Sequence, residues 1–206
     1  MNIHPVLTGP FQEICYLVWS NENKAIVFDP GFDPDDIFQV LEKHNLEVAA
    51  YVCTHGHADH ISALTELHAK QPAPVVMHSA DWKWAFSAMN QIPPYYSVPV
   101  CPTEEFQPLE SSTDWNFADL HFQCLETPGH TLGSCCLLFP EDNILISGDT
   151  LFKGSCGRTD LPGGNPRDLK DSLNKLKQLP DEISVYPGHG PDTTIGKEKA
   201  TNFFMQ

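Results

Sequence analysis

The sequence predicts an α/β fold of two sheets with helices on the outside. Three observations carry this. Short β-like runs come in series broken by single amphipathic helices, which favours two sheets over one all-parallel sheet. The chain has 206 residues, enough for one substantial core. No linker or low-complexity tract divides it, so residues 1–206 are read as a single domain.

Tyr16 to Ser20 and Ala25 to Phe28 read as antiparallel strands around the turn Asn21-Glu22-Asn23. Asp33-Pro34-Asp35-Asp36 opens a helix: an Asp cap, proline at the first position and acids in the first turn, with Ile37, Val40 and Leu41 at helical spacing. Val48 to Cys53 is a buried strand. A helix over His60 to about Lys70 puts Ile61, Leu64 and Leu67 on one face, and Val75 to His78 is a further strand. Asp81 is placed to cap a helix reaching about Asn90. Gln91 to Pro108 is a long irregular, proline-rich segment carrying Tyr95 and Tyr96, of a length that is often functional. Strands follow at Leu120 to Leu125, Ser134 to Phe139 and Asn143 to Ile146. Asn165-Pro166 opens the last clear helix, with Leu169, Leu173 and Leu176 inward, and Ile183 to Tyr186 is the last strand.

Composition narrows the function. A net charge of −15 argues against a general affinity for nucleic acid. No apolar run reaches the roughly 20 residues of a membrane span, and Met1 to Pro10 lacks the pattern of a secretory signal. The expected setting is the cytoplasm, with no membrane partner. The seven cysteines include no CxxC pair and read as reduced thiols.

Chemistry concentrates in His55-Gly56-His57-Ala58-Asp59-His60, directly after the apolar run Val48 to Cys53. Four potential ligands stand within six residues, separated by the smallest side chains. Imidazole and carboxylate are the ligand set of zinc and its first-row neighbours. His55 and His57 are two apart, so on an extended backbone they point the same way and can share an ion. Asp59 and His60 are better placed for a second. Three other strand ends run into a ligand-bearing turn: Thr127-Pro128-Gly129-His130, Ser147-Gly148-Asp149 and Pro187-Gly188-His189. Seven donors exceed the three or four of a single zinc site. They divide as His55, His57 and His130 on one ion, Asp59, His60 and His189 on the other, with Asp149 bridging. The expected cofactors are two divalent ions, zinc in first place and iron or manganese as alternatives. His4, His44, His68, His78 and His121 lack such a setting.

This HxHxDH run, followed in order by His130, Asp149 and His189, resembles the signature of the metallo-β-lactamase superfamily. The resemblance implies a four-layer αββα sandwich of two mixed sheets with a dinuclear site at one edge. The loop Gly154-Ser155-Cys156-Gly157-Arg158-Thr159-Asp160 is similar to that of glyoxalase II-type thioester hydrolases and of persulfide dioxygenases. The tail from Pro187-Gly188-His189-Gly190-Pro191 through Thr194, Glu198 and Asn202 resembles the short glyoxalase II-like (hydroxyacylglutathione) hydrolases. Only 17 residues follow His189, so the C-terminal helical domain of the long enzymes is expected to be missing. Lys153 and Arg158 lie just beyond Asp149. They are expected to meet the carboxylates of a glutathione-like group, Arg158 through its fork, or else Arg158 pairs with Asp160.

The resemblance implies a metal-dependent hydrolase that cleaves a small-molecule glutathione thioester, S-lactoylglutathione-like, through a metal-bridging hydroxide. Asp59 would be the catalytic carboxylate that orients the nucleophile. Two other readings stand beside it. One is a persulfide dioxygenase using a single iron on His55, His130 and Asp149. The other is a non-catalytic metal-binding protein.

Overall fold

The computed structural model describes residues 1–111 and 114–206. The first half builds one six-stranded sheet in simple order: β1 (Asn2–Thr8), β2 (Glu13–Trp19), β3 (Lys24–Phe28), β4 (Glu47–Val52), β5 (Val75–Met77) and β6 (Gln107–Pro108). Its first three strands pair antiparallel and the rest parallel. The second sheet is formed by β7 (Asp114–Phe117), β8 (Leu120–Glu126), β9 (Cys135–Phe139), β10 (Ile144–Gly148), β13 (Ser184–Pro187) and β14 (Thr193–Thr194), in the spatial order β14-β13-β10-β9-β8-β7. Here β10 and β13 are parallel and the other pairs antiparallel, so both sheets are mixed. Between β10 and β13, β11 (Leu151–Phe152) and β12 (Ser155–Cys156) make a separate hairpin. Around the sheets stand α1 (Pro34–Lys43), α2 (Ala58–Ile61), α3 (Leu64–Lys70), α4 (Ser79–Ala85), α5 (Pro166–Leu176) and α6 (Ile195–Thr201).

Strand alternation makes the layers. On β3, Ala25 and Val27 pack with the helices while Ile26 and Phe28 face the other sheet. On β9, Cys135, Leu137 and Phe139 face inward between the sheets, and Cys136 and Leu138 face outward with α5. Three apolar cores result: helix on sheet, sheet on sheet, sheet on helix. This is the expected αββα sandwich, in which every central strand is buried on both faces. All seven cysteines are free thiols, five of them buried in these layers. Among the described residues no helix is long and apolar enough to cross a membrane.

Local expectations needed correction in several places. Asp33 does not cap α1. It sits in the left-handed region at φ 48°, and its carboxylate accepts the Gly9 N–H at 2.9 Å instead. The helix expected over His60 to Lys70 is two helices, because the Ala63 N–H turns aside to the carbonyls of Pro30 and Gly31. Asp81 is not a cap either: the His78 side chain accepts the Ala80 N–H, and Asp81 is buried in the first turn of α4. Asn165 caps α5 as expected. The Ile183 to Tyr186 strand is followed by β14, and α5 by α6, which Thr194 caps through its hydroxyl. The edge strand β1 carries Pro5 and only two buried side chains, so its pattern is weak.

Candidate metal centre

The C-terminal ends of β3, β4, β8, β10 and β13 meet at one edge of the sandwich. They bring together all seven candidate ligands. The donor atoms of His55, His57 and His130 lie within 4.8 Å of one another, and so do those of Asp59, His60 and His189. His57 Nδ1 and His130 Nε2 are 2.8 Å apart. Asp149 stands between the clusters, with Oδ2 3.5 Å from His130 Nε2 and 3.7 Å from His189 Nε2, and Oδ1 3.5 Å from His60 Nε2. The residues expected to share each ion are thus brought together, with the Asp149 carboxylate within reach of both groups. Gly188 permits it: a Cβ there would collide with the Asp149 carboxylate and the His60 ring.

The outer ring nitrogens of four histidines set the tautomers. His130 Nδ1 donates to the Arg158 carbonyl at 2.8 Å, and His189 Nδ1 to the Phe11 carbonyl at 3.2 Å. His60 Nδ1 donates to Asp29 Oδ2 at 3.1 Å. The Thr54 hydroxyl gives its own hydrogen to Asp29 at 2.7 Å, so its oxygen accepts His55 Nδ1–H at 3.1 Å. Each anchored ring turns its Nε2 inward. His55 Nε2, His60 Nε2 and Asp149 Oδ1 are buried there with no hydrogen-bond partner. Buried polar atoms without partners are costly. Their convergence fits bound cations, held by a first shell oriented from behind.

Asp29 and Glu13 were not singled out from the sequence. Asp29, His55 and His60 are also mutually close enough to hold an ion, but the Asp29 oxygens are occupied by Thr54 N–H, the Thr54 hydroxyl and His60. Asp29 therefore supports ligands rather than being one. Its signal was available: Asp29-Pro30-Gly31 follows the strand at Ala25 to Phe28 as the other ligand turns follow theirs. Glu13 lies buried 3.7 Å from His60 Nδ1 and accepts the Thr8 hydroxyl at 2.6 Å. Burial pushes its carboxyl well above the ordinary range.

Electrostatics divides the site. Burial, with neighbouring imidazoles, holds His55 well below its ordinary value and His57 down to about 3. Burial also opposes charge on His60, yet Asp149, Asp59 and Asp29 lift it well above the usual imidazole range. Burial alone would raise Asp59, but His60 and His189 take it below the carboxylate range. The charge gathered by His60 marks where a cation is favoured. In a chelator, His55 and His57 stay neutral when folded and protonate near 6.5 when unfolded. Their stabilisation is present above that pH and is lost as pH falls, for His57 down to about 3. The contribution of His60 is full below 6.5 and is lost as pH rises through its folded value. Metal-free stability should therefore peak near pH 6.5 and fall on the acid side by about 1–3 kcal/mol per pH unit. Thermal melts in EDTA check this, and a melting temperature that climbs steadily from pH 5 to 8.5 contradicts it.

A brace lies behind the first cluster. The buried Asp81 carboxylate accepts the Gly56 N–H at 2.9 Å, between His55 and His57. It also accepts the Thr131 hydroxyl at 2.6 Å and the Gly133 N–H at 2.8 Å, just after His130. Asn90 accepts the Ala58 N–H at 3.0 Å and donates to the Gly56 carbonyl at 2.7 Å. Trp84 packs edge-on to His57, centroids 5.5 Å apart.

A cavity of about 570 Å³ opens over both clusters, lined by Phe11, Ile92, Phe152 and Leu161 together with Ser155, Cys156 and Arg158. Of the two candidate substrate cations, Arg158 reaches this cavity. Its guanidinium forks onto Asp160 at 2.7 and 2.8 Å on the exposed surface. That is the alternative pairing read from sequence, and the N–H groups it leaves unused can still meet a carboxylate. Lys153 is exposed in the turn between β11 and β12 and does not line the cavity. The Arg158 carbonyl anchors His130, a role that no residue-type signal could reveal.

A family model described as the metallo-beta-lactamase superfamily matches residues 8–189. Hydroxyacylglutathione hydrolase GloC of Haemophilus influenzae is 31% identical over 210 residues, spanning 100% of this chain and 98% of its own. The crystal structure of BLEG-1 B3 metallo-beta-lactamase superposes with a TM-score of 0.91 at 31% identity over 100% of both chains. That of TTHA1623 in a di-iron-bound form gives 0.87 at 38% identity, over 98% of this chain and 99% of the other. Ligand order, layered sheets and full-length similarity agree: the chain belongs to the metallo-beta-lactamase superfamily.

Proposed function

We propose that this protein is a metal-dependent hydrolase of glutathione thioesters, the class of compound to which S-lactoylglutathione belongs. The observation that carries the reading is the convergence of unpartnered His55, His60 and Asp149 atoms beneath a cavity with an arginine at its rim. The similarity to GloC and the Gly154-to-Asp160 loop support the substrate class. His55, His57 and His130 would hold one divalent ion and Asp59, His60 and His189 a second, with Asp149 shared; zinc is the first choice and iron the second. Bound there, the ions supply a polarised carbonyl and an ionised water near neutral pH.

The chain's own residues do the rest. Asp59, kept ionised by His60 and His189, accepts a hydrogen from the attacking water and orients it. Arg158 binds a carboxylate of the thiol half. The departing thiolate is a good leaving group, so no strong general acid is needed. The test is metal analysis paired with a panel of S-lactoylglutathione, a β-lactam and glutathione persulfide. Thioester cleavage that disappears with chelator and returns with metal is expected. Inert thioesters alongside β-lactam opening or persulfide-dependent oxygen uptake would overturn the reading.

A further inference from the structure

The cavity walls are unlike one another. Arg158, Cys156 and Ser155 come from β12 and the turn after it. Phe11 comes from the β1–β2 turn, Ile92 from the irregular segment before β6, and Phe152 and Leu161 flank the Arg158 loop; these four side chains offer no donor or acceptor. Phe11 is also built in. Its N–H donates to the Tyr96 hydroxyl at 3.3 Å, and its ring packs on Tyr95 and Tyr96 at centroid distances of 5.3 and 5.1 Å. Its carbonyl holds His189. Tyr96 is itself buried, and its strand-like bridge to Ile92 ties the two apolar wall segments together. A phenylalanine fixed on three sides yet 38% exposed over a polar centre is an apolar surface waiting for a partner.

Resting on the thioester reading above, we infer that the acyl half of the substrate seats on the wall made by Phe11 and Ile92, away from the Arg158 segment. The protein is therefore selective for apolar acyl groups over small hydroxyacyl groups, and Phe11 determines that specificity. The orientation follows from charge. The thiol half of a glutathione thioester carries the carboxylates, and the guanidinium of Arg158 stands in a segment separate from the Phe11 and Ile92 wall. A hydroxyl on the part of the acyl group that packs on Phe11 and Ile92 would be desolvated against side chains that offer no partner, whereas each added methylene gains about three- to fourfold in binding.

The experiment measures kcat/KM for acetyl-, butanoyl-, hexanoyl-, benzoyl- and lactoylglutathione with the metal-loaded protein. Binding of S-methyl- and S-hexylglutathione gives a readout independent of turnover. Expected are a rise of about threefold per methylene, butanoyl above lactoyl, and tighter binding of the hexyl thioether. Phe11→Ala should flatten the series, losing far more on hexanoyl than on acetyl. Ile92→Ala should do the same more weakly, which guards against a folding defect in the first variant. A flat series, lactoyl as the preferred substrate, or a Phe11→Ala loss equal at every chain length overturns the inference while leaving thioester hydrolysis standing. No turnover of any thioester by fully loaded protein removes both.

Discussion

Asp59→Ala should lower thioester kcat/KM by about a thousandfold or more and release the ion of the second cluster. The substitution leaves His60 and His189 there with the shared Asp149, which weakens a site that needs three or four protein ligands. It also removes the carboxylate that lies 3.4 Å from His189 Nε2 and 3.9 Å from His60 Nε2. Asp59→Asn separates the two roles, since it retains an oxygen ligand but not the charge that accepts a hydrogen from water. We expect Asn to keep more metal than Ala and to recover little activity. His130→Ala should act on the other ion, removing the ligand closest to His57. Metal stoichiometry by mass spectrometry, steady-state rates and circular dichroism together decide the matter. Wild-type rates from an Asp59→Ala protein with its second site empty would end the mechanism.

Asp81→Ala is expected to be the most destabilising single change at the site, by about 3–5 kcal/mol. Three strong donors converge on this fully buried carboxylate: the N–H groups of Gly56 and Gly133 and the Thr131 hydroxyl. Alanine leaves them facing a dry gap. An asparagine is no remedy, because its amide hydrogens would point at donors. The two loops so joined carry His55, His57 and His130, so affinity should fall for the first ion more than for the second. Urea denaturation and stepwise metal titration measure the two effects separately. Wild-type stability together with an unaltered first-site affinity would show that the loops hold themselves.

The site was largely legible in the sequence because its ligands are chemically dense and stand at strand ends. His55 to His60 needs no neighbour to be noticed, and His130, Asp149 and His189 each follow an apolar strand and a glycine. What could not be read is what lies behind them. Asp81 carries the local marks of a helix cap, yet its three strongest donors are 25 to 52 positions away. Asp29 looks like any acid before Pro-Gly until the fold sets it against His60. The layered fold was legible through alternation, as in Ala25 to Phe28. The split between α2 and α3 was not, since it depends on Ala63 finding the carbonyls of Pro30 and Gly31. Short elements such as β14, α6 and the edge strand β1 had too few apolar positions to set a period.

Two of the anchors under the histidines are main-chain oxygens, from Phe11 and Arg158. Every amino acid owns such an oxygen, so the identity of the side chain at either place is left open by the metal site. The same two residues line the cavity. Descendants of this chain could thus exchange residues 11 and 158 freely and acquire new preferences, while the machinery beneath is inherited unchanged.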